Sequence, residues 1–186
     1  TEGITKITAA DIKYAVAMGT SIKLLATSRK MEAGFYAMVC PVMISKKSPL
    51  YSVNGVFNAI FIHGNVLGDA MFYGSGAGKL PTASAVVSDV VDCAKHLHRN
   101  VMVNWSNHRL ELMNVDEVRN RFFVRVSGTP AQRKEEVEKL FGPVDIVTVP
   151  GLPDEFAFVT GMITERSFRE RAEQIDGILS RIRARI

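Results

Sequence analysis

From Phe122 to the C-terminus the apolar residues change spacing in a fixed order, and that order restricts the fold more than any other feature of the chain. Phe122 to Val126 alternates as a strand, about Ala131 to Phe141 follows a helical period ended by Gly142, and Val144 to Val149 and Glu155 to Ile163 alternate again. Glu165 to Ile175 then reads as a second helix and Ile178 to Ile182 as a weak final strand. The sequence βαββαβ is a split β-α-β unit, which buries one face of a small sheet under two helices.

Upstream the pattern differs. Thr8-Ala9-Ala10-Asp11 has the layout of a capping box ahead of Ile12, Ala15 and Val16, which predicts a short helix ending near Gly19. Ile22 to Ala26 and Phe35 to Ile44 read as strands, with Pro41 expected to confine the second to an edge or a bulge. Val56 to Ile62 and Val66 to Tyr73 are expected to form a hairpin turning at His63-Gly64-Asn65. Pro81 to about Leu97 reads as a helix, and Arg99 to Asn120 as polar and irregular around Trp105. The expected class is therefore α+β, with one domain over residues 1–117 and a ferredoxin-like βαββαβ domain over 118–186.

Charge and cysteine usage exclude several functions. Lys and Arg number 23 against 19 Asp and Glu, a net charge of +4, too mild to mark nucleic-acid binding unless gathered on one face. Arg166, Arg169, Arg171, Arg181, Arg183 and Arg185 do crowd the end, but Glu165, Glu170 and Glu173 interleave with them and no aromatic platform accompanies them. They read as a solvated helix and an edge strand. Cys40 and Cys93 lack ligand spacing and are expected to be core thiols rather than a disulfide or a metal site. No charged-then-apolar leader and no membrane-length apolar run is present, so a cytoplasmic protein without a membrane partner is expected. Because Thr1 is followed almost at once by a helix start, the chain is expected to be part of something longer.

The segment with most chemistry is Met71-Phe72-Tyr73-Gly74-Ser75-Gly76-Ala77-Gly78-Lys79, at the end of a strand and the start of a helix. Glycine there lets another molecule approach the main chain, and a helix start offers amides to an anion. It is not a phosphate loop, which would need glycine at Tyr73 and a hydroxyl at Leu80, nor GxGxxG, since the third glycine comes one residue early. On these residues alone, a strand-to-helix turn is the simpler account.

The surrounding blocks carry a resemblance. Leu50-Tyr51-Ser52-Val53-Asn54-Gly55-Val56-Phe57-Asn58-Ala59, then Gly68-Asp69-Ala70 running into the glycine segment, then Pro81-Thr82-Ala83-Ser84-Ala85-Val86-Val87-Ser88-Asp89 resemble the second half of the homoserine dehydrogenase family. Gly3-Ile4-Thr5-Lys6-Ile7 to Asp11-Ile12 resembles the opening of that half, so the likeness runs from Glu2 to about Leu97. It implies a parent enzyme interconverting L-homoserine and L-aspartate 4-semialdehyde with NAD or NADP, in threonine and methionine biosynthesis. It also implies an open mixed sheet with helices on one face over residues 1–117, a dimer through that sheet, and a cofactor contact at Gly78 presented by Gly76 and Ala77. The family's catalytic lysine, its homoserine-binding acids, its Rossmann glycines and its monovalent-cation loop lie before the matched blocks. This chain alone is thus expected to be inactive, with no catalytic or metal residue and no bound NAD(P). Lys6, Lys13 and Lys23 read as surface charges, His63 as a turn residue, and His96, His98 and His108 as exposed positions.

The βαββαβ unit resembles the ACT domain that often ends this family and through which threonine inhibits it. Effector-binding ACT domains commonly read Asp-x-Pro-Gly at the first strand-to-helix turn, whereas this chain reads Gly128-Thr129-Pro130-Ala131. An amino-acid effector such as threonine is an open expectation on that account. The alternative reading is a free-standing ACT-type module that binds an amino acid while the sheet dimerises.

Overall fold

A computed structural model describes residues 1–32, 34–100 and 102–186. In chain order its elements are α1 (Ala9–Ala17), β1 (Thr20–Met31), β2 (Gly34–Ser45), β3 (Phe57–Gly64), β4 (Gly68–Ser75) and α2 (Lys79–Lys95). There follow β5 (Arg119–Ser127), α3 (Pro130–Phe141), β6 (Asp145–Val147), β7 (Glu155–Val159), β8 (Ile163–Thr164), α4 (Glu165–Ala172) and β9 (Ile178–Arg185). Val101, inside the stretch expected to be irregular, lies outside the described residues.

Two compact units result, Thr1–Lys47 with Leu110–Ile186, and Ser48–Arg109. In the first, the strands run β1-β2-β9-β5-β7-β6, with β8 pairing β5. The β2–β9 pair is parallel and its neighbours antiparallel, so the sheet is open and mixed. Within it β9-β5-β7-β6 has the ferredoxin-like order, fourth strand, first, third, second. Alternation along β5 and β7 divides the core between the faces. Phe122, Val124, Val126, Phe156 and Phe158 pack with Val137 and Phe141 of α3 and Phe168 of α4. Phe123, Ala157 and Val159 point the other way, onto Tyr14 and Ala15 of α1. The helix α1 starts as its sequence predicts: Thr8 accepts from the Asp11 amide, and the Asp11 carboxylate accepts from the Thr8 amide at 2.7 Å.

The second unit is simpler. β3 and β4 form an antiparallel hairpin in register from Phe57↔Ser75 to Gly64↔Gly68, followed by α2, in which no residue is buried. Ile60, Ile62, Phe72, Val86, Val87 and Val90 are all exposed.

Several expectations change in the folded chain. The final strand is interior, between β2 and β5, because its parallel pairing with Val42–Ile44 comes from residues far away in sequence. Pro41 accordingly does not confine β2 to an edge. It precedes by one residue the stretch that pairs with β9, and so takes no donor from that ladder. The run Glu155 to Ile163 is two strands, interrupted where the buried Thr160 hydroxyl accepts from the Phe122 amide. The hairpin turns at Asn65–Leu67, three residues in place of the expected site, and His63 lies in β3 opposite Asp69, with which it pairs. Cys40 is buried but Cys93 is exposed, because α2 has no cover. Lys6 and Lys13 are exposed, while Lys23 is half-buried and burial lowers its pKa. The compact units also cut differently from the expected boundary at 117, since β1 and β2 share a sheet with β5–β9.

Candidate functional site

The glycine corner is built by the hairpin and the helix after it. β4 ends at Ser75, opposite Phe57, and the Gly76 amide donates to the Val56 carbonyl at 3.2 Å. A Cβ on Gly76 would fall 1.6 Å from Asn58 Nδ2, so the Asn58 amide lies where a side chain would be. Gly78 caps α2 without a side chain, at φ +123 and ψ 151, a conformation closed to residues with a Cβ. The first amides of α2 have no intrahelical acceptor, as at any helix start, and Pro81 in the first turn brings none. Residues 71–80 are all exposed. Gly76, Ala77 and Gly78 therefore form a solvent-facing strip of main chain beside a helix N-terminus, a surface that could lie flat against a phosphate-bearing cofactor.

The turn opening the βαββαβ unit is closed by contrast. The Ser127 amide donates to Gly177 O at 3.0 Å, the Gly128 amide to Asp154 O at 2.7 Å, and the Thr129 amide to Gln132 Oε1 at 3.1 Å. Arg133 spans the same turn, donating to the carbonyls of Ser127 and Asp176. The Ser127, Gly128 and Thr129 amides are thus all bonded within the chain.

The strongest electrostatics lie in Arg183 and Glu165, which were expected to be solvated and are buried, and in Arg125 and Glu155, which the sequence reading did not single out. Arg183, nearly sealed from solvent, donates from Nε and Nη2 to both Glu165 oxygens at 2.6 and 2.7 Å, and to Glu2 at 2.8 and 3.1 Å. Burial works against its charge, but the bonds to Glu2 and Glu165 outweigh it and raise the pKa. Those to Arg183 are the chief reason the Glu2 carboxyl titrates below its ordinary range. Arg125 makes a second such cluster, with Glu155 at 3.0 and 2.8 Å, Thr8 Oγ1 at 2.9 Å and Asp11 Oδ1 at 2.9 Å. Burial would raise the Asp11 pKa, yet the Thr8 amide and Arg125 together bring it down.

The Arg183 cluster borders a cleft of about 500 Å³ between α4, residues 115–116, Ala37 and Met38, and the first two residues. Among the described residues no buried side-chain nitrogen or oxygen lacks a partner. The signal available in sequence was an arginine at an inward strand position, Arg125 among Phe122–Val126. Among the described residues no cluster of His, Cys, Asp or Glu has the makings of a metal site, and no helix is long and apolar enough to cross a membrane.

The sequence profile described as homoserine dehydrogenase matches residues 1–91, taking in α1, the hairpin and the whole glycine corner. Residues 1–91, just under half of the chain, are those of the homoserine dehydrogenase family. The homoserine dehydrogenase of Pseudomonas aeruginosa is 46% identical over 95 residues, 51% of this chain and 22% of that protein. That of Neisseria gonorrhoeae is 37% identical over 133 residues, 67% of this chain and 31% of that protein. The crystal structure of a homoserine dehydrogenase from Thiobacillus denitrificans superposes on 98% of this chain with a TM-score of 0.78 at 25% identity, covering 46% of that chain. The chain thus spans a fifth to a third of these curated homoserine dehydrogenases and about half of the solved one.

Proposed function

We propose that the chain is the C-terminal portion of a homoserine dehydrogenase that interconverts L-homoserine and L-aspartate 4-semialdehyde with NAD(P). In this reading residues 1–117 belong to the catalytic and dimerisation part, and 118–186 form an ACT-like domain. The observation that carries it is the exposed corner Gly76-Ala77-Gly78, inside the family-matched residues, whose own side chains amount to one methyl group and which has the Asn58 amide packed against Gly76. The nicotinamide supplies the hydride acceptor when bound. What this chain contributes is exposed main chain at Ala77 and Gly78, beside the Asn58 amide, and the amides of a helix start, which hold a neighbouring group in place without reacting.

The test is kinetic. In the full polypeptide carrying these residues, Gly78→Val should raise the KM for NAD(P) about tenfold or more while the KM for homoserine stays within about twofold. An unchanged cofactor KM removes Gly78 from the site. Homoserine-dependent reduction of NADP by the 186-residue chain alone, at a full enzyme rate, would show that the catalytic residues lie here.

A second element of the proposal is self-association. The hairpin carries apolar residues on both faces, and a two-stranded ribbon is marginal without something against it. A second copy of the chain, related by a two-fold axis, would cover it. An amino-acid effector at the Gly128 turn is the less supported reading, because the Gly128 and Thr129 amides are already bonded.

A further inference from the structure

Arg125 lies in β5, outside the family-matched residues, yet its guanidinium reaches the start of α1 inside them. It works there as a four-point joint. On one side it grips both oxygens of Glu155 at the start of β7. On the other it meets the Thr8 hydroxyl and Asp11 Oδ1. Asp11 is divided between two tasks, since its Oδ2 accepts from the Thr8 amide and closes the capping box while its Oδ1 receives Arg125. Side-chain exposure is 7% for Arg125, 0% for Asp11 and 13% for Glu155, so water competes little at this joint. Tyr14, one turn along α1, donates to the Glu155 carbonyl at 3.3 Å, and its ring lies 5.8 Å from the guanidinium carbon.

We infer that Arg125 is a positioning residue that couples the order of α1 to the pairing of β5 with β7, so that the C-terminal unit and the family-matched segment stabilise one another. The nine residues of α1 are too few to hold a helix in isolation, and its outer face is exposed at Ile12 and Val16. Its order must therefore come from the sheet. Apolar contact of Tyr14 and Ala15 supplies part of that, but apolar contact is non-directional. The directional part is the charged joint, which ties the helix cap to one register of β5 and β7. A coupling of this kind is reciprocal: what loosens β7 near Glu155 loosens α1, and what loosens α1 loosens β7. The inference stands apart from the catalytic reading, because no cofactor or substrate enters it.

Hydrogen exchange on the 186-residue chain tests it. In Arg125→Met, the amides of Lys13 to Met18 should exchange about tenfold faster or more, while those of α3 and α4 on the opposite face change by less than about twofold. Asp11→Asn keeps a capping acceptor and removes the charge. It should speed α1 several-fold and, by reciprocity, also speed the amides of Glu155 and Ala157. Arg125→Lys should fall between wild type and Arg125→Met. Unchanged α1 exchange in both variants overturns the inference, as does equal acceleration of α3, α4 and α1, which marks global loosening. If Arg125→Met does not fold, the Asp11→Asn pattern decides alone.

Discussion

Arg183 alternates in phase with Arg181 and Arg185, which leads one to expect a solvated side chain, yet it is buried, and it is tolerated there only because two carboxylates meet it. Replacing it by Met leaves Glu165, 6% exposed at its side chain, buried without its main partner. We expect that to cost about 3–5 kcal/mol, read as a lower urea midpoint at unchanged slope. A loss under about 1 kcal/mol would mean that the cluster relaxes into water. The acid side of the stability curve has a defined sign. Glu2 and Asp11 titrate lower folded than unfolded, so their contribution is complete above the ordinary carboxylate range and is lost progressively as pH falls from that range to their lowered folded pKa values. Stability should be level above about pH 5 and decline below about pH 4, less steeply in Glu2→Gln. Arg183 was not legible as a core residue because a charge run is ordinarily solvated, whereas Arg125, flanked by Val124 and Val126, carried a signal that was not used. The sign of burial was carried by Glu2, Asp11, Glu155 and Glu165, each distant in sequence from the arginine it meets.

At the scale of elements, local signals were read well and non-local ones poorly. The Thr8–Asp11 capping box, the β3–β4 hairpin, α3 ended by Gly142 and α4 after Thr164 all depend on neighbours within a few residues, and all are present. The parallel pairing of β2 with β9 joins residues about 140 apart, and no period within either strand announces it. For the same reason Arg181 to Arg185 read as an edge. The turn between α4 and β9 offers a sharp test. Gly177 sits at φ +73, its carbonyl accepts from Ser127, and a Cβ there would fall 2.2 Å from Ser127 Oγ. Gly177→Ala should cost about 1–3 kcal/mol in thermal unfolding, from the backbone conformation and the contact together. Adding Ser127→Ala should recover the part due to contact, and full recovery would mean that the left-handed conformation costs nothing here.

For the molecule as a whole, the family-matched residues and the compact units do not coincide. The match ends at residue 91, while one sheet runs from Thr20 to Arg185 and the hairpin with α2 forms a unit of its own. The glycine corner was found from its sequence because glycine spacing is local, but its accessibility depends on what covers the hairpin. Ile60 and Phe72 are cross-strand partners, 65% and 66% exposed, and they share a face of the ribbon with Ile62 and Ala70. That much apolar surface on two strands is unstable in water, so a second copy should bury it. Sedimentation velocity at tens of micromolar should give a species heavier than the 20.5 kDa monomer, and Ile60→Glu with Phe72→Glu should return it to monomer. Because both substitutions lie in residues 48–109, the circular dichroism of the larger unit should change little. A wild-type chain that sediments as pure monomer at that concentration, with its hairpin ordered, would mean that the ribbon is stabilised without a second copy, and the dimer would have to be abandoned.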